Sequence, residues 1–207
     1  LKACLNIAQR EQGHMALMFI DLDRFKKIND GLGHHVGDSV LIEVGRRLRA
    51  AMRSSDIVAR LGGDEFVVLL PRIQAQTDGD VVAAKVLEVF TDPVLIGEQE
   101  LRVTPSIGVA LYPDHGTDAA TLMRHADLAM YQAKKDGRNR IQIYSEHMVS
   151  PSPDTLLLEN DLYHALTRDE LRLHYQPQFD CTSGRITGAA ALLRWEHKGR
   201  LIAPSDF

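Results

Sequence analysis

The heptapeptide Arg60-Leu61-Gly62-Gly63-Asp64-Glu65-Phe66 lies between two apolar runs, Ile57-Val58-Ala59 and Phe66-Val67-Val68-Leu69-Leu70. Two strand-like runs joined through paired glycines read as a β-hairpin, because a tight turn needs positive φ, which glycine adopts without steric cost. Two carboxylates follow the glycines at once. A turn bare of side chains lets a ligand approach the backbone closely, and adjacent acids offer oxygen ligands to a hard cation. That combination suits a polyphosphate with magnesium; an ordinary surface hairpin with solvated acids is the simpler alternative.

A second acidic element stands upstream. Met15-Ala16-Leu17-Met18-Phe19-Ile20 is a continuous apolar run, as expected of a strand buried on both faces, and it ends in Asp21-Leu22-Asp23. The rest of the first 145 residues alternates between helical and strand patterns. Helices are expected over 1–12, 37–53, 78–90 and 119–135, and strands over 15–21, 94–96, 101–112 and 141–144. Such a mixture, with some strands joined by hairpins, argues an α/β (α+β) fold in which helices pack on a central mixed sheet.

Several motifs in order resemble one known family. Phe19-Ile20-Asp21-Leu22-Asp23 with Phe25-Lys26 and Asn29-Asp30 comes first, then Gly33-His34 with Gly37-Asp38, then Gly62 to Phe66. Ser106-Ile107-Gly108-Val109-Ala110 and Ala133-Lys134-Lys135-Asp136-Gly137-Arg138-Asn139 complete the pattern. The stretch from about Leu1 to Tyr144 looks like the GGDEF family of diguanylate cyclases. The resemblance implies a palm-like, mostly antiparallel sheet similar to nucleotidyl cyclases. It also implies condensation of two GTP into cyclic di-GMP with release of two pyrophosphates, by a homodimer in which each domain presents one GTP.

The same resemblance assigns roles. Asp21, the carbonyl of Leu22, Asp64 and Glu65 are expected to hold Mg²⁺ or Mn²⁺, with Asp64 taking the proton from the attacking 3′-hydroxyl. Gly62 and Gly63 form the turn over GTP. Asn29 and Asp38 match the guanine-reading pair; turn chemistry at Asn29 and helix capping at Asp38 are the competing readings. Lys26, Lys134 and Arg138 are candidate phosphate contacts, against which stands a complement to a helix C-terminus. Asp23 is open to pairing with Arg24 or Lys26. Arg53 and Asp56 match an inhibitory site for cyclic di-GMP, or form an exposed charge pair leaving a helix.

A second resemblance begins near Leu157. Leu158-Glu159-Asn160-Asp161-Leu162, Leu173-His174-Tyr175-Gln176-Pro177-Gln178 and Gly188-Ala189-Ala190-Ala191-Leu192-Leu193-Arg194-Trp195 look like the start of an EAL domain, the cyclic di-GMP phosphodiesterase. Ala190 stands where that family carries its naming glutamate, a metal ligand, so hydrolase activity is expected to be weak or absent, with Arg194 left to contact cyclic di-GMP. The expected division is a GGDEF domain over 1–145 lacking its N-terminal turn, a linker over 146–156 containing Ser150-Pro151-Ser152-Pro153, and a truncated EAL-like domain over 157–207 in cis. Both ends read as cuts in a longer chain.

Composition sets outer bounds. A net charge of −4 with dispersed cations gives no nucleic-acid surface, so a nucleic-acid polymer is not an expected partner. The two cysteines, Cys4 and Cys181, lie far apart without a partner motif and read as reduced thiols. No run approaches the ~18 apolar residues of a membrane span, so a cytoplasmic place is expected, with any anchor lying outside this chain. A binding module that holds GTP or cyclic di-GMP and regulates the attached EAL-like domain, without turnover, is the alternative to an enzyme.

Overall fold

The computed structural model describes residues 1–73, 76–148 and 153–204, and the chain divides into two compact units, 1–148 and 149–207. The first unit runs α1 (Lys2–Glu11), β1 (His14–Leu22), α2 (Phe25–Leu32), α3 (His34–Ala51), β2 (Ile57–Gly62), β3 (Glu65–Ile73), α4 (Gln76–Glu88), β4 (Val94–Ile96), β5 (Gln99–Leu101), β6 (Pro105–Tyr112), α5 (Ala119–Lys135) and β7 (Arg140–Ile143). Five strands form one sheet in the order β2-β3-β1-β6-β7, while β4 and β5 make a separate hairpin. All neighbours in the large sheet are antiparallel except β6 and β7, which are parallel and joined through α5. The expected mixed, mostly antiparallel sheet with flanking helices is the fold observed.

β1 is the middle strand, and its alternation builds two cores. Ala16, Met18, Ile20 and Leu22 pack with Val40, Leu41, Val44 and Leu48 of α3 and with Ala83 and Val86 of α4. Met15, Leu17 and Phe19 pack on the other face with Leu5 and Ala8 of α1 and with Leu122, Ala126 and Met130 of α5. A continuous apolar run is what a strand covered on both faces requires, and each fully buried Leu, Ile or Met contributes about 1.5–3 kcal/mol. The period of two also fixes direction: Asp21 continues the odd-numbered series and therefore lies on the face covered by α5.

Gly108 lets α5 sit close to the sheet. A Cβ there would stand 2.0 Å from the Ala126 carbonyl oxygen and 2.1 Å from the Met130 nitrogen, both backbone atoms. The helix itself starts at an Asp118 cap, whose carboxylate accepts from the Ala120 and Thr121 N–H groups.

Two helices differ from expectation. The segment after Asp23 forms α2, and α3 begins at His34 rather than Gly37. Gly33, at φ 88°, ends α2 and starts α3 in one residue. Asp38 thus lies inside α3 and caps nothing, which removes the capping explanation. Asn29 is likewise inside α2, not in a turn.

The second unit consists of α6 (Pro153–Ala165), β8 (Leu171–Phe179), β9 (Ile186–His197) and β10 (Arg200–Ile202), with an antiparallel sheet in the order β10-β9-β8. α6 begins within the stretch expected to be linker, with proline at its first position, where a missing N–H costs nothing. Around the buried Trp195, the indole N–H donates to Glu170 Oε2 at 2.8 Å, and His197 lies 3.2 Å from the same oxygen and 3.0 Å from Asp161 Oδ2. Ala190 pairs opposite Gln176 on β8.

Candidate active site

The end of β1 and the tip of the β2–β3 hairpin are brought together by register. Asp21 pairs with Glu65 on β3, and the Leu22 N–H donates to the Asp64 carbonyl at 3.3 Å. The hairpin tip is held by Arg60, whose Nε and Nη2 both donate to the Gly63 carbonyl at 2.9 and 2.8 Å. Gly63 takes φ 49° at the turn, the conformation that selects glycine.

From the other side α5 delivers Lys134, whose Nζ lies 2.7 Å from Asp21 Oδ2. Asp21 is only 8% exposed. Burial holds its carboxyl above the usual carboxylate range, and the negative charges of Asp64 and Asp23 push the same way; the Lys134 hydrogen bond and charge oppose them. A cavity of about 250 Å³ opens here, lined by Asp21, Leu22, Lys26, Asp64, Lys134 and Arg138 among others. Three carboxylates, Asp21, Asp23 and Asp64, and four cations, Arg24, Lys26, Lys134 and Arg138, around one small cavity can hold a charged phosphate chain and an activating base at once.

The fit to a divalent cation can be judged from the donors. Among the described residues no group of three or more His, Cys, Asp or Glu side chains converges into a closed metal cage. Magnesium does not need one: it takes one or two carboxylates and completes its shell with phosphate oxygens and water. Asp21, whose charged form the protein alone leaves under-compensated, and Asp64 on the same cavity fit that role. Glu65 does not line the cavity, although its pairing with Asp21 keeps it beside the site.

Asp23 is engaged otherwise than the sequence suggested. Its carboxylate accepts from Thr104 Oγ1 at 2.8 Å, Ser106 Oγ at 2.7 Å and the Asn139 N–H at 3.1 Å, and from neither Arg24 nor Lys26. It ties together the end of β1, the start of β6 and the turn after α5. The sequence marks Ser106 only as part of the Ser106-to-Ala110 motif and does not mark Thr104, since only the β1–β6 register places them beside Asp23.

Asn29 and Asp38 lie apart from the Asp21 cavity. Asp38 borders a second cavity of about 550 Å³ with Leu41, Arg49, Val58 and Phe66. Asn29 does not line it but lies against Gly37: a Cβ on Gly37 would stand 1.9 Å from Asn29 Oδ1 and 3.1 Å from Phe25 Cζ. Gly37 is therefore what allows the amide to sit beside the helix turn carrying Asp38.

Arg53 and Asp56 line a third cavity of about 520 Å³, beside Gly13 and His14 at the opposite end of β1 from Asp21. Their side chains do not pair. Asp56 instead accepts from the Arg53 backbone N–H at 3.0 Å and from Ser55 Oγ at 3.3 Å. The Arg53 guanidinium is left for other partners.

The profile described as "Diguanylate cyclase, GGDEF domain" matches residues 1–140, and that of the EAL domain matches residues 159–207. The chain is 43% identical over 208 residues to the bifunctional diguanylate cyclase/cyclic di-GMP phosphodiesterase MucR of Pseudomonas aeruginosa, covering 100% of this chain and 30% of that protein. It is 36% identical over 202 residues to the cyclic di-GMP phosphodiesterase PdeR of Escherichia coli, covering 97% of this chain and 30% of PdeR. The chain thus spans about a third of the length of these relatives. Among solved structures, the GGDEF domain of YfiN (TpbB) from Pseudomonas aeruginosa superposes with a TM-score of 0.69 at 40% identity, covering 70% of this chain and 91% of that one.

Proposed function

The chain belongs to the GGDEF diguanylate cyclase family, and from that premise we propose that its first 145 residues condense two GTP into cyclic di-GMP, releasing two pyrophosphates, as an Mg²⁺-dependent homodimer. The observation that carries this reading is the cavity at the end of β1, where Asp21, Asp64, Lys134, Lys26 and Arg138 converge.

Each residue then has a task. Lys26, Lys134 and Arg138 bind and orient the triphosphate, and Gly62 and Gly63 let it lie close over the hairpin backbone. Asp21, the Leu22 carbonyl and Asp64 would hold the cation, with Glu65 in support; when bound, the cation supplies compensation for charge developing on the phosphates. Asp64 accepts the proton from the 3′-hydroxyl of the partner's GTP as that oxygen bonds to the α-phosphorus and pyrophosphate leaves. The same exchange in the opposite sense closes the ring. Asn29 and Asp38 read guanine: the carboxylate accepts from N1–H and the 2-amino group, while the amide both donates and accepts.

Regulation is proposed at Arg53 and Asp56, where cyclic di-GMP would contact the guanidinium that no carboxylate of its own turn engages. We assign 146–156 to a linker and 157–207 to the start of an EAL-like domain that lacks hydrolase activity because Ala190 offers no ligand. Among the described residues no helix is long and apolar enough to cross a membrane. A cytoplasmic place is the reading we favour, with Cys4 and Cys181, both free, as reduced thiols.

A second reading rests on the similarity to PdeR, which is named a phosphodiesterase while matching 97% of this chain. In it the GGDEF unit binds GTP or cyclic di-GMP and regulates its neighbour without turnover. Nucleotide chromatography after incubation with GTP and Mg²⁺ separates the two. Cyclic di-GMP from the parent sequence but not from Asp64→Ala, at a rate rising faster than linearly with protein, is the result expected of the cyclase. Nucleotide binding without product would give the second reading.

A further inference from the structure

A cavity of about 490 Å³ lies next to the proposed triphosphate cavity and shares Asp23, Arg24 and Arg138 with it. Its remaining wall includes Lys27 and Arg102, with Ile28 and Leu32 of α2 as an apolar side. Four cations, Arg24, Lys27, Arg102 and Arg138, therefore surround one opening. Among the described residues none of their side chains forms an ion pair or hydrogen bond within the protein. The one carboxylate in the wall, Asp23, is already engaged by Thr104, Ser106 and the Asn139 N–H.

Like charges are not gathered in this way by default. Arg24 follows β1, Lys27 is on α2, Arg102 precedes β6 and Arg138 follows α5. The three hydrogen bonds to Asp23 draw three of these segments together. Arg24 at φ 60°, Arg138 at φ 64° and Asn139 at φ 46° all hold a left-handed backbone that non-glycine residues rarely take. Unusual backbone concentrated around one opening marks a place whose geometry is held by its surroundings.

We infer that this cavity is a second phosphate subsite that takes inorganic pyrophosphate. The occupant follows from the neighbouring chemistry and so rests on the cyclase reading: each condensation frees a pyrophosphate in the cavity that Arg138 also borders. Arg24, Lys27 and Arg102 offer the departing anion guanidinium and ammonium donors that no protein acid occupies. Pyrophosphate held there is clear of the carboxylates Asp21 and Asp64, and its retention makes it a product inhibitor.

The test uses calorimetric titration of the whole chain with inorganic pyrophosphate, without metal, in protein first saturated with a non-hydrolysable GTP analogue. Binding in the parent chain and a loss of about tenfold or more in Lys27→Ala/Arg102→Ala, with analogue affinity within about twofold, is the expected result. Equal pyrophosphate binding in both proteins, or none in the analogue-saturated parent, overturns the proposal. Two analogues bound per chain, the second lost in the double variant, would make a nucleotide the occupant and overturn pyrophosphate. Because the readout is binding, a chain that takes pyrophosphate here but makes no cyclic di-GMP sinks the cyclase reading alone. The salt dependence should flatten in the double variant, as two anion contacts are removed.

Discussion

Gly37→Ala separates the fold from the guanine-reading role proposed for Asn29. In the native chain the Gly37 Cα faces the Asn29 amide so closely that an added Cβ would lie 1.9 Å from Oδ1 and 3.0 Å from Cγ. Ordinary contact begins at 3.4 Å, so the amide oxygen must move by at least 1.5 Å. The atom displaced is the end of a side chain, which places the packing cost near the lower end of about 1–3 kcal/mol. Alanine inside a helix returns about 1 kcal/mol over glycine, so the net change in stability is small and Tm should hold within about 5 °C. Binding behaves differently. A shift of that size breaks hydrogen bonds to a base, and losing one or two of them at about 1 kcal/mol each weakens GTP roughly 5- to 30-fold. Calorimetric titration with GTP and with ITP, which lacks the 2-amino group, reads the effect, and thermal unfolding is the control. Both affinities should fall together while the preference for GTP over ITP persists, because the 2-amino group is assigned to Asp38. A folded Gly37→Ala chain that binds GTP as tightly as its parent would falsify the assignment of Asn29 to guanine.

Three further outcomes follow from the packing. Gly108→Ala should cost about 3 kcal/mol or more, since its Cβ would meet backbone atoms of Ala126 and Met130 that cannot swing aside, and a Tm shift under a few degrees would contradict the close approach of α5. Asp23→Ala strips the partner from Thr104, Ser106 and the Asn139 N–H and should lower stability by about 2–3 kcal/mol in urea unfolding; an unchanged midpoint would mean that these bonds do not hold the three segments. Glu43 is held at about 2, below its ordinary 4.5, first by the Arg46 hydrogen bond and then by that of Arg47. A lowered folded value means stabilisation that is full above 4.5 and lost as pH falls towards 2, so Glu43→Gln should melt below its parent at pH ~7, with the gap closing in acid and in salt. A gap that persists at the acid end would rule out this titration as its source.

Much of the candidate site was legible because its parts are local. Gly62-Gly63 between apolar runs needs a turn, and acids after a buried strand end up at the rim of a sheet, so Asp21 and Asp64 could be named from the sequence. Lys134 was placed among phosphate contacts by resemblance; its 2.7 Å contact with Asp21 depends on how closely α5 approaches, which Gly108 sets. Asp38 was open to capping because Gly37-Asp38 looks like a helix start, yet the start moved to His34 once Gly33 took a left-handed backbone. The competing reading of Arg53 and Asp56 as a charge pair fails because the carboxylate accepts instead from the Arg53 backbone N–H of its own turn.

What the sequence determined by itself were the patterns that repeat along the chain. A continuous apolar run marked β1 as a strand covered on both faces, a helical period in α3 and α5 supplied its covers, and one glycine pair marked the turn. These depend only on neighbours a few positions apart. The tertiary structure decided which distant groups meet: Asp23 with Ser106 and Asn139, Asn29 with Gly37 across the α2–α3 junction, and four cations around one opening. Such meetings follow from strand register and helix docking, which sum many weak contacts over the whole core. No short window of residues contains that sum.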